Sequence, residues 1–258
     1  AIADTKGAIY DDLGPAGTAI INRDQPWAET WQARAGDARV IDYAMTTQAA
    51  VTASDIRLLG AEGLEFTAHT PAGDLAVALK LPGRHNVSNA LAAIAVGLAC
   101  DLSLAEIGRG LTSVEPVAGR LSVQSSAGGA SIIDDCYNAN PGSVRAAIDL
   151  LAACPGQRVL LLGAMRELGP DSERLHSEMG AYAAECGLDG LWGVGPELAP
   201  TVEVFGKGGR WFATLDEARS AVAGAFAGDS TVLVKGSRGA QMEQLLPALL
   251  GETESLPC

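Results

Sequence analysis

From Gly17 to about Gly83 apolar and polar residues alternate in short runs, the pattern of strands with one buried face. The runs cover residues 18–22, 39–43, 56–59, 64–68 and 75–80, and their alternation predicts half-exposed antiparallel strands. Pro71-Ala-Gly73 is a turn signal between the last two, which predicts a hairpin. Two helices are predicted next, over residues 86–100 and 103–113, the second with Ser103 as N-cap and Glu106 at the capping-box position. From residue 131 the texture changes. Continuous apolar runs at 131–134, 158–162, 190–194, 209–213 and 231–235 alternate with helical segments at 141–153, 172–186, 215–226 and 239–250, with a short helix near Glu197. That order predicts a parallel sheet covered on both faces, a Rossmann-like doubly wound α/β domain. The domain boundary is expected near residues 119–126, dividing the chain into 1–120 and 121–258.

With 258 residues, 48% of them hydrophobic and 19% charged, the chain can form two buried cores and does not have the composition of a disordered one. No apolar run reaches the roughly 20 residues a membrane-spanning helix needs. The net charge of −13 comes without any Lys/Arg cluster, so nucleic acid and anionic membranes are poor partners. Five scattered cysteines, with no C-x-x-C spacing, fit neither a zinc site nor a disulfide framework and point to a reducing cytoplasm.

In an open α/β sheet the ligand crevice lies beyond the C-terminal ends of the strands, and three such ends are polar here. The first is Asp134-Asp135-Cys136-Tyr137-Asn138-Ala139-Asn140-Pro141. Asn140 and Pro141 make a good helix start, but two adjacent carboxylates with Tyr and a further Asn exceed what a helix start needs. Such a cluster suits a ribose hydroxyl, an amine or hydrated Mg²⁺. The second end is Gly163-Ala-Met-Arg-Glu-Leu-Gly169. The third, Lys235-Gly236-Ser237-Arg238-Gly239, reads either as an anion site at a helix start or as a solvated turn. Elsewhere, Asn86 and Asn89 lie three apart at the start of an apolar helix, so their carboxamides share a face and match the edge of adenine. Asn86 can equally be an N-cap. His85 has no second His or Cys at ligand spacing. Arg120 reads as a linker residue or as a phosphate contact.

Four segments taken in order resemble the Mur ligase family: Leu-Pro-Gly-Arg-His-Asn-Val-Ser-Asn-Ala from Leu81, Gly-Arg-Leu from Gly119, Asp-Asp-Cys-Tyr-Asn-Ala-Asn-Pro from Asp134, and Leu-Val-Lys-Gly-Ser-Arg from Leu233. The Tyr-Asn-Ala-Asn-Pro and Lys-Gly-Ser-Arg segments are similar to the member that adds D-alanyl-D-alanine. The resemblance implies the later half of a central ATPase domain followed by a Rossmann-like C-terminal domain. It also implies an ATP- and Mg²⁺-dependent ligase acting as a monomer on UDP-N-acetylmuramoyl-tripeptide and D-Ala-D-Ala through an acyl phosphate. By the same resemblance Asn86 and Asn89 contact adenine, Arg120 approaches the phosphates or ribose, and Asp135 binds the ribose or orders the nucleotide. Tyr137, Asn138, Lys235, Ser237 and Arg238 face the acyl phosphate and the incoming dipeptide, with Lys235 and Ser237 in catalytic roles. Lys6 matches the family's carbamylated lysine, a metal ligand, because Ile20-Ile-Asn22-Arg-Asp24 and Trp27 follow it at the family's distance.

The chain also departs from the family. Gly163-Ala164-Met165 stands where Gly-Asp-Met is usual, and no G-x-x-x-x-G-K-[ST] phosphate loop occurs. The UDP-sugar-binding domain and the Mg²⁺-binding Glu and His that precede the lysine in the family are not in this sequence, which also starts without Met. The chain is therefore expected to be a part of a longer enzyme and inactive alone. Two alternatives remain open: a sibling ligase that adds diaminopimelate or lysine or makes folylpolyglutamate, and a free-standing nucleotide-binding module.

Overall fold

A computed structural model of the chain describes residues 2–251. The chain divides between Glu115 and Pro116 into two compact units. The first unit contains α1 (Ile2–Gly7), β1 (Thr18–Asn22), α2 (Ala28–Arg34), β2 (Arg39–Tyr43), β3 (Thr52–Leu58), β4 (Leu64–Thr70), β5 (Gly73–Leu79), α3 (His85–Ala99) and α4 (Leu104–Thr112). β3, β4 and β5 form an antiparallel sheet, and β4–β5 is the expected hairpin. Its inner row of Leu64, Phe66, Ala68, Val77 and Leu79 packs on Val87, Leu91 and Ile94 of α3, as the alternation of its strands requires. Ser103 caps α4 and Glu106 closes the capping box.

Two expectations for this unit need correction. β1 and β2 pair in parallel, not antiparallel. Parallel neighbours need a crossover, and α2 supplies it. That helix escapes the sequence pattern because its buried contacts are small: Ala28 and, just beyond it, Ala35, against Ala19 and Ile21 of β1. Asn86 is not an N-cap either, since the helix starts one residue earlier, at His85 after Arg84.

The second unit contains β6 (Ser122–Ser125), β7 (Ser131–Asp135), α5 (Pro141–Ala152), β8 (Arg158–Gly163), α6 (Ser172–Glu185), β9 (Gly190–Val194), α7 (Ala199–Phe205), β10 (Gly209–Phe212), α8 (Leu215–Val222), β11 (Thr231–Lys235) and α9 (Leu246–Leu250). The sheet order is β10-β9-β8-β11-β7-β6. Every pair is parallel except β6–β7. The apolar runs of β8, β9 and β11 are buried along their whole length or nearly so, as strands covered on both faces must be. β6 was not predicted because Ser-Val-Gln-Ser has one large apolar residue and lies half exposed at the sheet edge. The predicted helix over 239–250 is broken instead into short 3₁₀ turns at Arg238–Ala240 and Met242–Leu245 before α9. Gln241, held at φ 51°, separates the turns. The helix expected over 215–226 stops at Val222, with Gly224 at φ 68° beyond it.

The ends of β8 and β11 approach closely because Gly163 and Gly236 have no side chain. A Cβ on Gly163 would lie 2.6 Å from the Met242 sulfur, and one on Gly236 would lie 2.6 Å from Met242 Cγ. Gly163→Ala is therefore an overpacking change, expected to lower stability by about 1–3 kcal/mol in denaturant unfolding. An unchanged midpoint would mean that Met242 moves aside freely.

Candidate functional site

β7, β8 and β11 lie side by side, and their C-terminal ends carry the three polar loops. The loop after β7 is the most organised. Asp134, 5% exposed, accepts Gly119 N–H on Oδ2 (2.8 Å) and Cys136 N–H on Oδ1 (3.1 Å). Tyr137 N–H donates to Gly119 O (2.9 Å), and the Arg120 guanidinium stacks over the Tyr137 ring at 4.2 Å. Gly119 can bend back in this way because it sits at φ 77°; Leu121, buried, follows at φ 58°, an unfavourable conformation for a leucine. Arg120 is thus held against the strand end rather than left as a loose linker residue. Asn140 caps α5, with Pro141 in the first turn, and its N3 partner is Ser143.

Asp135 and Lys235 occupy neighbouring strand ends in register, and Lys235 Nζ donates to Asp135 Oδ2 at 2.5 Å. The same ammonium donates to Asn138 O at 3.0 Å. Lys235 is only 2% exposed. Burial raises the Asp135 carboxyl above its ordinary range; Lys235 opposes that, Asp134 adds to it, and Arg120 opposes it weakly. Ser237, also buried, donates its hydroxyl to Ala139 O (3.2 Å) and accepts Arg166 N–H (2.8 Å), while its own N–H reaches Ala164 O (3.0 Å). Lys235 and Ser237 therefore tie the loops together. Arg238 is exposed at the start of a three-residue 3₁₀ turn, so the α-helix N-terminus expected to assist anion binding does not follow β11.

Sequence reasoning missed His176. It is fully buried in α6 and accepts Met165 N–H on Nε2 at 2.9 Å, holding the loop after β8 from behind. A lone histidine in an amphipathic helix gives no signal of this, because the partner is a backbone amide.

The first unit carries its own candidates. Asn86 is 8% exposed and donates to Pro82 O (2.7 Å), and its Oδ1 accepts from Asn89 Nδ2 (2.9 Å). This fixes the exposed Asn89 carboxamide with its oxygen and one N–H still unspent. Beyond β1, Asp24 gathers Met45 N–H (2.6 Å), the Thr46 hydroxyl (2.6 Å) and Thr47 N–H (3.0 Å), fixing the loop after β2. Burial opposes its charge, but the bonds from Thr46, Met45 and Thr47 outweigh burial and hold the carboxyl below its ordinary value. Lys6, near the end of α1, lines an open cavity of about 690 Å³ with Gln25, Trp27, Trp31 and Arg34. Arg34 pairs with Asp4 of α1 (3.0 Å) and with Asp11 in the segment that follows it (2.5 Å). Among the described residues no group of three or more His, Cys, Asp or Glu converges to hold a metal ion, and no helix is long and apolar enough to cross a membrane.

A parallel sheet with bonded strand-end loops, preceded by a unit that presents a fixed carboxamide pair, is the architecture of a two-unit α/β protein. The Mur ligase middle domain matches residues 1–97, and the Mur ligase glutamate ligase domain matches residues 119–238. The chain belongs to the Mur ligase family. It is 38% identical over 251 residues to the UDP-N-acetylmuramoyl-tripeptide–D-alanyl-D-alanine ligase of Escherichia coli, covering 96% of this chain and 55% of that one. Among solved structures it resembles MurF from Acinetobacter baumannii, with a TM-score of 0.88 and 32% identity over 97% of this chain and 55% of that one. MurF from Thermotoga maritima, solved in complex with ADP, shares the fold at a TM-score of 0.82 and 22% identity, over 97% and 57% of the two chains. The chain spans about half the length of the curated relatives it matches.

Two predictions follow from the bonded groups. Lys235→Met leaves the half-buried Asp135 carboxyl without its partner and should destabilise the second unit by about 1–3 kcal/mol. Adding Asp135→Asn should recover part of that loss in a double-mutant cycle, and strictly additive losses would show the two groups to be uncoupled. For Asp24, the folded pKa lies below the unfolded one. Its contribution is thus present above the ordinary Asp pKa of about 4 and lost as pH falls through the folded value. Asp24→Asn should therefore flatten the acid limb of the stability–pH profile below about pH 4. An identical acid limb in the variant would refute this.

Proposed function

We propose that this chain is part of an ATP-dependent amide ligase of cell-wall precursor synthesis, which joins D-alanyl-D-alanine to UDP-N-acetylmuramoyl-tripeptide in the cytoplasm. The observation that carries the reading is the 38% identity to the Escherichia coli ligase of that name across 96% of the chain. Residues 1–120 are then the later part of an ATP-binding domain and 121–258 the domain that receives the amine.

In this reading the tripeptide's terminal carboxylate oxygen attacks the γ-phosphorus of ATP, and ADP leaves. The dipeptide nitrogen then attacks the acyl carbon of the resulting acyl phosphate. Phosphate departs and the nitrogen loses its proton, leaving a new amide. The Asn89 carboxamide, braced by Asn86, has the donor and acceptor that an adenine edge requires. Arg120, stacked on Tyr137, offers a guanidinium to phosphate oxygens. Lys235 neutralises one oxygen of Asp135, so the pair presents a directed dipole at the strand ends rather than a free charge. Tyr137 and Asn138, both exposed on the same loop, and Arg238 complete the acceptor side. Mg²⁺ offsets the charge of the transferring phosphoryl group when bound. Its ligands would be phosphate oxygens and water, with Lys6 added only if carbamylated.

The test joins the remainder of the Escherichia coli relative to this chain ahead of Ala1 and measures phosphate release. Release that depends on ATP, UDP-N-acetylmuramoyl-tripeptide and D-Ala-D-Ala together is expected, with none from the 258-residue chain alone. A fusion that accepts free diaminopimelate, lysine or glutamate in place of the dipeptide would overturn the assignment. Lys6→Ala in the active fusion should abolish turnover, and an undiminished rate would remove the lysine from the metal site.

A further inference from the structure

His176 stands apart from every residue that the ligase reading places at the site. It lies one turn into α6, is 0% exposed, and has both ring nitrogens engaged by backbone. Nδ1 lies 2.8 Å from Ser172 O, four residues earlier, where only an N–H can satisfy the contact. Nδ1 therefore carries the proton, and Nε2 is left as the acceptor for Met165 N–H at 2.9 Å. An apolar residue here would fill the space and leave Met165 N–H buried and unbonded, because β8 has ended at Gly163 and the sheet offers that amide no partner.

What this bond fixes is visible in the next residues. Arg166 N–H donates to Ser237 Oγ, which donates in turn to Ala139 O on the loop after β7. Glu167 follows at φ 63°, a conformation that an isolated loop would avoid. The Arg166 side chain, exposed, reaches out from this point, its guanidinium 3.6 Å from Glu197. The imidazole is thus the rear anchor of a chain of bonds, and the loop it holds forms one side of the strand-end crevice.

We infer that His176 is a positioning residue for the amine-acceptor side of the site: its Nε2 holds the Met165–Arg166 backbone where the loops after β7 and β11 can bond to it. The inference rests on the ligase reading for what the loop receives, but not for the anchoring itself. It assigns His176 no contact with substrate.

Two polar replacements of similar bulk separate the roles of the two nitrogens. His176→Gln keeps an acceptor near the Nε2 position, whereas His176→Asn keeps a donor near Nδ1 and loses the acceptor. In the 258-residue chain, amide exchange at Met165 and Arg166 should accelerate on the order of ten-fold in His176→Asn, the effect of one lost hydrogen bond, and stay near wild type in His176→Gln. In the active fusion, His176→Asn should raise KM for D-Ala-D-Ala by about ten-fold and leave KM for ATP unchanged, with His176→Gln restoring the first. Equal exchange in the two variants, or equal rises in both KM values, would overturn the proposal. So would unfolding of both variants, since burial alone would then be what His176 supplies; unfolding of the Asn variant alone supports the anchor. A wild-type fusion without dipeptide-dependent turnover would sink the ligase reading, and the exchange comparison would still decide the role of His176.

Discussion

A lysine that is 2% exposed needs a partner for its ammonium inside the protein, and Lys235 finds one in Asp135, 2.5 Å away. The placement is a consequence of register. β7 and β11 are parallel neighbours, Lys235 pairs directly with Asp135, and both residues are the last of their strands. One interaction therefore fixes where two strands stop and how the loops beyond them begin. The ammonium's second bond, to Asn138 O, carries that constraint three residues into the loop after β7. Ser237 extends it to the loop after β8, and Asp134 extends it back to Gly119. Lys235, Ser237 and Asp134 are buried, so leaving their side-chain bonds unmade would be expensive even though some of their partners reach the surface.

The same arithmetic changes what the candidate residues can do. Lys235 read from sequence is a cation waiting for an anion. In the fold its charge is committed, and it shapes the electrostatics of Asp135 rather than meeting a ligand alone. Arg120 keeps its charge available, since stacking on Tyr137 orients the guanidinium without neutralising it. The division is between charges that build the loops and charges that face outward from them, and spacing along a chain cannot make it.

Much of the fold is legible because the physics that forms it is local. The strands of the second unit are apolar for their whole length, and the capping boxes of α4 and α5 depend on residues three apart. The failures share a cause as well. β6 and α2 are held by a few small or half-exposed contacts, and the 3₁₀ turns after β11 replace a helix that Gln241 and Pro247 interrupt. The parallel pairing of β1 and β2 is set by the crossover rather than by either strand's own pattern. The candidate residues are legible by type and order, but their partners lie about 70 to 100 positions away, as Ser237 with Arg166 and Lys235 with Asp135 do.

Ala164 shows why the partners matter more than the types. It occupies the place where the family usually carries Asp, and on sequence alone the change removes a functional group from the crevice. In the fold Ala164 is 4% exposed and contributes through its carbonyl, which accepts Ser237 N–H. Its neighbours behave alike: Met165 and Arg166 hold the loop through their N–H groups. A carboxylate at 164 would need partners of its own in this buried position, and a methyl group needs none. The loop after β8 is thus built from backbone, with side chains of Ser237 and His176 reaching in to meet it. A loop so constructed draws none of its bonds from the side chain at 164, so the alanine there leaves the links among the three strand-end loops complete.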